Sequence, residues 1–183
     1  MRAISFIAAV IFCGWASLAH GGSLVIDDFR SNPDKHWRFI ADTVMGGVSA
    51  GSVSFKNDGK HPYAQMRGTV STANNGGFIQ FRRKVDVPAK QSIQGVHIKA
   101  RGNGERYFVH IRTTGTILPW QYYQAEFATG KGWKDVRIPL SSFKRSGWML
   151  SKAISPSSIK SVAIVAFGRD HEADVQLREI GWY

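Results

Sequence analysis

Acidic side chains are the residues of this sequence best suited to catalysis, and their spacing gives no paired active site. Glycoside hydrolysis uses two carboxylates that converge across a cleft. Asp27 and Asp28 are adjacent, and neighbours on a strand point to opposite faces, so they cannot form such a pair. The other candidates are dispersed: Asp42, Glu105, Glu126, Asp135 and Asp170. We predict a protein that is not an enzyme and has no catalytic residues; a hydrolase whose carboxylates converge on folding is the alternative.

Histidine and cysteine form no metal-binding pattern. The single Cys13 cannot make an internal disulfide or a cysteine-based zinc site. The histidines beyond the first 21 residues include no pair two or four positions apart: His36, His61, His97, His110 and His171. His97 and His110 lie on the polar faces of strands that we expect to be consecutive, which would make them cross-strand neighbours. We predict neither a metal nor a cofactor.

The segment from Trp37 to Ser49 contains a loop with a pair of glycines, Gly46 and Gly47. Glycine allows a backbone to approach a ligand closely. The loop is not a phosphate loop, because no Lys-Ser/Thr pair and no long helix follow it. Asp42 in this loop has two interpretations: a general base or cation ligand, or an acceptor of hydrogen bonds from the loop backbone.

Aromatic side chains offer a second kind of binding chemistry. Sugar-binding sandwiches stack aromatic rings on the faces of sugar rings, and protein interfaces use the same residues as anchors. Trp120 and Trp148 each follow a turn residue in a predicted loop, so we expect them at the surface. Trp133 and Trp182 lie at or in predicted strands and are expected in the core.

The chain is strongly basic, with 24 Lys and Arg against 13 Asp and Glu and a formal net charge of +11. This charge favours acidic partners such as an anionic polysaccharide, a phospholipid or an acidic protein surface. Alternation along a strand places Arg82 and Lys84 on one side and Arg83 on the other. Together with Lys144, Arg145 and Lys152 they would form an anion-binding patch; a solvated strand edge protected by charge is the other interpretation.

The first 21 residues have the pattern of a secretory signal peptide. A cationic Arg2 precedes an uncharged, mostly apolar run from Phe6 to Ala19 and then small residues. The run is shorter than the roughly 20 apolar residues that a membrane-spanning helix needs. We predict cleavage, a periplasmic or secreted protein, no membrane span in the mature chain and no nucleic-acid partner.

Short runs of alternating polarity follow from Leu24 onward, without a long helical stripe. We predict strands at Leu24 to Phe29, Trp37 to Thr43, Ser52 to Lys56, Tyr63 to Val70, Gly77 to Val87, Val96 to Arg101, Arg106 to Thr113, Gln121 to Phe127, Lys134 to Pro139, Lys160 to Phe167 and Asp174 to Trp182. These strands predict an all-β, jelly-roll β-sandwich in one domain over residues 24–183. The run from Val162 to Phe167 is apolar on both faces, which predicts a central strand covered on each side.

Several short motifs occur in a fixed order along the chain. They are Trp37 through Asp42 to Met45-Gly46-Gly47-Val48-Ser49, Asn75-Gly76-Gly77-Phe78, Arg101-Gly102-Asn103-Gly104 leading to Arg106-Tyr107, Tyr123-x-Ala125-x-Phe127-x-Thr129, Trp133, Val136-x-Ile138-Pro139-Leu140-Ser141-x-Phe143, and Leu177-x-Glu179-Ile180. With this ordered set the sequence resembles the complex I intermediate-associated protein 30 family from about Asp27 to Trp182. The departure is Asn103, which is neutral where the family commonly has an acidic residue.

The resemblance implies a galactose-binding-like jelly roll and a non-enzymatic accessory protein, chaperone-like in the assembly of respiratory complex I. With the secretory start, we expect an extracytoplasmic binding protein that acts on a protein partner. The alternative is a carbohydrate-binding module for an extracytoplasmic glycan, which the basic charge allows to be anionic. The candidate binding residues are Trp37, Asp42, Met45, Gly46, Gly47, Asn75, Gly76, Arg106, Tyr107, Trp120 and Trp148.

Overall fold

The computed structural model describes residues 24–59, 61–88 and 92–183, and strands dominate this part of the chain. They are β1 (Leu24–Asp27), β2 (Trp37–Ala41), β3 (Ala50–Asp58), β4 (His61–Val70), β5 (Phe78–Lys84), β6 (Gly95–Gly102), β7 (Arg106–Thr113), β8 (Tyr123–Ala128), β9 (Lys134–Pro139), β10 (Lys144–Arg145), β11 (Ile159–Phe167) and β12 (His171–Trp182). The helical elements are α1 (Pro33–His36) and 3-10 turns at Asp42–Met45, Ala73–Asn75, Leu140–Ser142 and Pro156–Ser158. The predicted signal peptide lies outside the described residues.

Two antiparallel sheets pack face to face as a β-sandwich. The first sheet has the order β3-β4-β12-β6-β9, and β1 also pairs with β12. The second sheet has the order β10-β8-β7-β11-β5-β2. The prediction of an all-β sandwich is confirmed. Among the described residues, no helix is long and apolar enough to cross a membrane.

The core lies between the sheets and follows from alternation along each strand. On β7, Val109 and Ile111 point inward and are fully buried, whereas His110 and Arg112 point to the outer face. From the first sheet, Met66, Ile98 and Leu177 meet them in one continuous apolar cluster. Burying each such side chain contributes about 1.5–3 kcal/mol, so this packing is the main stabilising term.

Asp27 joins the two sheets at one edge of the sandwich. It ends β1 in the first sheet, and its Oδ2 accepts a hydrogen bond of 2.8 Å from Trp37 Nε1 on β2 and an ion-pair contact from Arg83 on β5. Its Oδ1 accepts a hydrogen bond of 2.7 Å from the backbone N–H of Phe29. Phe29 has a left-handed backbone, with φ of 61°. The carboxylate therefore fixes a sharp bend after β1 and links both layers.

The expected cross-strand position of His97 and His110 is wrong. His97 lies on β6 in the first sheet and His110 on β7 in the second, because the chain crosses between the layers after β6. They are therefore not cross-strand neighbours. β11 is a central strand, as predicted, and its outer-face residues Ala163 and Val165 are each 1% exposed. Val165 and Phe167 on this face form the floor of a groove.

Gly68 on β4 provides a test of the close approach between β3 and β4. A Cβ atom there would lie 2.1 Å from the carbonyl oxygen of Ala50 and 2.6 Å from Gly51 Cα. We expect Gly68→Ala to lower the free energy of unfolding by about 2 kcal/mol, because the strands must separate. The measurement is urea unfolding. Gly132→Ala is the control, since its Cβ would meet nothing within 4 Å; equal stability of the two variants contradicts the prediction.

Candidate functional site

Asp42 connects two loops at one end of the second sheet. It opens the 3-10 turn after β2, and its residue is 0% exposed. Its Oδ1 accepts a hydrogen bond of 2.9 Å from the N–H of Ser49, and its Oδ2 accepts one of 2.5 Å from Ser49 Oγ. Oδ2 also accepts hydrogen bonds from the N–H groups of Gly77 at 2.5 Å and Phe78 at 3.2 Å. The carboxylate thus binds the loop after β2 to the loop before β5.

The glycines around Asp42 are required by this arrangement. A Cβ atom on Gly47 would lie 2.3 Å from Asp42 Cγ, and one on Gly76 would lie 2.4 Å from Asp42 Oδ2. Gly46 has a φ of 88°, a left-handed conformation that ends the 3-10 turn. Gly47 and Gly76 therefore leave room for a carboxylate of the chain itself.

The hydrogen bonds keep Asp42 ionised. Burial by itself raises the pKa of this carboxyl group, but the hydrogen bonds from Gly77, Ser49 and Phe78 outweigh it and hold the pKa below its usual value of 3.8. The group is fully buried and accepts four hydrogen bonds, so it has no access to a substrate. Of the two interpretations of Asp42, the structure shows the acceptor of loop hydrogen bonds.

A groove runs over the outer face of the second sheet, beside the two loops that Asp42 connects. It contains about 1570 Å³ of empty space and is open to solvent. Its lining residues, from β2, β5, β7, β11 and the flanking loops, are Ile40, Val44, Met45, Asn75, Gly76, Phe78, Gln80, Arg82, His110, Arg112, Pro119, Trp120, Tyr122, Val165 and Phe167. Most are apolar or aromatic, and none of these described residues is a carboxylate.

Trp120 forms the opposite rim and is held by a hydrogen-bonded loop. Gln121 is buried, and its Oε1 accepts hydrogen bonds from the N–H groups of Ile117 at 2.8 Å and Leu118 at 3.0 Å. Arg112 donates to the carbonyl oxygen of Leu118 at 2.9 Å. The indole of Trp120 is nevertheless 62% exposed. The loop therefore presents a large apolar ring to solvent on a fixed backbone.

Three aromatic rings form a platform in the groove. The rings of His110 and Tyr122 are stacked, with centroids 4.1 Å apart and an interplanar angle of 9°. Phe167 meets His110 at 6.0 Å in an edge-on arrangement. Burial lowers the pKa of His110 to about 3, so the ring is neutral at physiological pH. The platform is thus closely packed and uncharged.

The structure brings four of the sequence-predicted binding residues to this groove and separates others from it. Met45, Asn75, Gly76 and Trp120 line the groove. Trp148 is 83% exposed but does not line it. Among the loop glycines, Gly46 and Gly47 shape the rim and do not line the groove.

Two predicted binding residues are buried and cannot contact a ligand directly. Trp37 is 2% exposed, packs on Phe81 at 5.0 Å between ring centroids and donates its indole N–H to Asp27. Tyr107 is 0% exposed; its hydroxyl donates to Asn103 Oδ1 at 2.7 Å and accepts from the N–H of Asp174 at 2.8 Å. Both are core residues because they sit at inward positions of their strands.

The charged candidates are engaged elsewhere. Arg106 is exposed and pairs with Glu126 at 3.3 Å. The other acidic candidates also have partners outside the groove: Glu105 with Arg169, Asp135 with His97 and Lys99, and Asp170 with Thr72. Within the described part of the chain, no three His, Cys, Asp or Glu side chains gather as a metal site. Lys144 and Arg145 lie on edge strand β10, away from Arg82 on β5.

Sequence reasoning missed several groove residues, of which His110, Phe78 and Phe167 are aromatic. The sequence does contain one signal for His110: the alternation of polarity along its strand places this residue on the outer face. Phe78 and Phe167 are register partners across β5 and β11, a pairing that only the sheet topology reveals.

Asp42→Asn tests the structural role of the buried carboxylate. We expect the free energy of unfolding at pH 7 to fall by about 3 kcal/mol, because hydrogen bonds to a charged group are lost and an amide N–H₂ faces N–H donors. The pKa of Asp42 is lower in the folded chain than in the unfolded chain, so this stabilisation is complete above pH about 4 and is lost as the pH falls through the folded-state value. The difference between wild type and variant should therefore shrink in acid.

The measurement for this variant is urea unfolding at pH 7 and pH 3. Asp135→Asn is the matched control, because its side chain is 63% exposed and should contribute little. If Asp42→Asn is as stable as Asp135→Asn at pH 7, the assigned role is wrong.

Solved structures of similar fold include carbohydrate-binding modules. The family 11 module of the cellulosomal cellulase Lic26A-Cel5E of Clostridium thermocellum superposes with a TM-score of 0.70 at 14% identity, covering 88% of this chain and 94% of that one. A family 11 module from Clostridium thermocellum in complex with a β-1,3-1,4-mixed-linked tetrasaccharide has a TM-score of 0.70 at 14% identity, covering 88% of this chain and 95% of that one. An exo-β-agarase has a TM-score of 0.58 at 8% identity, and the match covers 88% of this chain and 25% of that one. At such identities the likeness shows the fold alone.

The family comparison is more specific than the fold. No curated protein matches the chain significantly. A family model described as complex I intermediate-associated protein 30 matches residues 28–178. This span includes Asp42 and the glycines that enclose it. The chain therefore belongs to the complex I intermediate-associated protein 30 family.

Proposed function

We propose that this protein is a non-enzymatic binding protein whose outer-face groove holds a glycan chain. The observation that carries the proposal is the groove itself: an open channel with an aromatic platform, an exposed indole on its rim and no carboxylate among its described lining residues. Such a site can hold a sugar ring but lacks the paired acid and base of a glycosidase.

Hydrogen bonding favours a glycan over an extended peptide in this groove. The floor strands β5, β7 and β11 each pair with a neighbour on both sides, so their backbone groups are already used. A peptide laid across them would bury its own N–H and C=O groups without partners. A sugar ring instead places its apolar C–H face on an aromatic ring and leaves its hydroxyl groups at the sides.

Two further facts support this proposal. The fold is that of a carbohydrate-binding module whose structure contains a mixed-linked tetrasaccharide. The polar side chains of Gln80 and Asn75 line the groove beside the aromatic residues and can meet sugar hydroxyls. The predicted signal peptide adds an extracytoplasmic setting, periplasmic or secreted, where glycans are abundant.

Trp120→Ala tests the glycan site. We expect at least about a thirtyfold loss of affinity for any glycan that the wild type retains on a glycan array, as for an anchoring aromatic residue. The measurement is isothermal titration calorimetry with that glycan. Trp148→Ala is the control, because this indole is more exposed yet lies outside the groove. Equal loss in both variants, or no glycan retained, contradicts the proposal.

A protein partner is the second candidate, favoured by the exposed apolar side chains of the loop after β2. Val44 is 72%, Met45 55% and Val48 51% exposed. Contiguous exposed apolar residues are typical of interaction surfaces. This contact would fit a chaperone-like or assembly role of the kind for which the family is named.

Val48 separates the two candidates, because it is exposed but does not line the groove. Crosslinking in the native compartment should recover one defined protein with wild type and Trp120→Ala, and not with Val48→Ser, if a protein binds this loop. Equal recovery by Val48→Ser and wild type contradicts this second candidate.

A further inference from the structure

Four cationic side chains gather at one end of the groove. Arg38 on β2 and Arg82 on β5 are direct register partners, and Ser161 on β11 is the partner of both Lys84 and Arg112. All four cations lie on the outer face of the second sheet. In the described residues, none of them has a carboxylate oxygen within 4.0 Å. The four cations therefore have no ion-pair partner, and Asp86, which borders the same surface, pairs with Lys160 instead.

Arg82 is the member of this cluster whose positive charge has the least favourable surroundings. It is half-buried, and its side chain makes no hydrogen bond or ion pair with the described residues. Burial lowers the pKa of Arg82, and the positive charge of Arg112 lowers it further. Like charges opposite each other on a sheet are destabilising. A ligand that brings negative charge to this position would remove that repulsion.

His110 also borders this cluster. It is 8% exposed, and its Nε2 is buried without a hydrogen bond of good geometry in the described part of the chain, as is the Oε1 of its cross-strand partner Gln124. Buried polar atoms normally have a partner. His110 lines a small recess of about 30 Å³ together with Arg82, Arg112 and Gln80. An unpartnered imidazole nitrogen and two guanidinium groups thus border the same small space.

The geometry points to an anion subsite in this recess, bordered by Arg82, Arg112 and His110, that receives a carboxylate or sulfate group of an acidic glycan lying in the groove. Guanidinium groups bind planar or tetrahedral oxyanions through their N–H donors. Arg112 already donates from Nη2 to the carbonyl oxygens of Thr116 and Leu118, so it offers Nη1 to an anion. The neutral ring of His110 supplies a further N–H in the tautomer protonated at Nε2. This inference rests on the proposed glycan function and specifies the class of sugar.

A polymer of acidic sugars has chemical groups that match both ends of the groove. Its rings stack on the platform and on Trp120, while an acidic substituent reaches the cationic end. The strong net charge of +11 would also speed its association at low salt. An acidic protein segment carries the same charge but lacks the ring faces, so we take it as a competing outcome of the test.

The experiment compares three tetrasaccharides by calorimetry: tetragalacturonate, a sulfated carrageenan tetrasaccharide and the neutral β-1,3-1,4-mixed-linked glucan. We expect one acidic sugar to bind at least about tenfold more tightly than the neutral one, as charge-assisted hydrogen bonds to one group allow. Which acidic sugar binds distinguishes the carboxylate from the sulfate. Hexaglutamate is the peptide arm, and tighter binding of hexaglutamate than of either acidic sugar overturns the inference.

The variants locate the subsite. Arg82→Ala should lose about tenfold in affinity for the acidic sugar and leave the neutral sugar unchanged, and Arg82→Lys should restore part of the loss. Lys131→Ala is the matched control, since it removes one positive charge outside the groove. Circular dichroism checks that each variant is folded. An equal loss in Lys131→Ala and Arg82→Ala would show that only net charge matters.

A separate readout keeps the two proposals distinguishable. Titration with inorganic sulfate should shift the NMR resonances of the His110 ring and the Arg82 side chain, and the His110 shift should be absent in Arg82→Ala. If sulfate moves neither residue, the anion subsite is wrong even when a neutral glycan binds. If sulfate binds there but no sugar does, the glycan function fails and the inference fails with it.

Discussion

One buried carboxylate, Asp42, determines the shape of the loops at this end of the sandwich. An ionised group in an apolar interior is costly unless hydrogen bonds replace the lost water. Here the donors are two backbone N–H groups of the loop before β5 and the N–H and hydroxyl groups of Ser49. The two loops are therefore folded around the same charge. Gly47 and Gly76 follow as a consequence, because any side chain at either position would overlap the carboxylate.

The hydrogen bonds of Asp42 also determine part of the form of the groove. The loop after β2 carries Met45, and the loop before β5 carries Asn75, so the Asp42 hydrogen bonds place one wall. The floor follows from a different constraint, the alternation of β5, β7 and β11 over a fully packed core. Packing of each inward-facing side chain fixes the strand backbone at that point. The backbone in turn fixes where the neighbouring outward-facing side chain lies and which way it points. Binding chemistry on the outer face thus depends on packing on the inner one.

The sequence predicted the strands well and the groove poorly. Two strands, Arg106–Thr113 and Lys134–Pro139, have their predicted bounds, because alternation and turn residues are local signals. The two-residue strand β10 was missed, since so short a segment shows no period. The groove joins strands that are distant in sequence, such as β5 with β11, and no local pattern reports that pairing. The family motifs indicated the loops without revealing that Trp37 and Tyr107 are buried.

The bridge made by Asp27 has a mechanical consequence. Because this carboxylate ends β1 in one layer and contacts Trp37 and Arg83 in the other, tension applied at Leu24 is shared by both layers. Peeling the leading strand away from β12 would require the cross-layer contact to rupture at nearly the same extension. Force applied at Leu24 would therefore be resisted by both sheets together, and not by the β1–β12 hydrogen bonds alone.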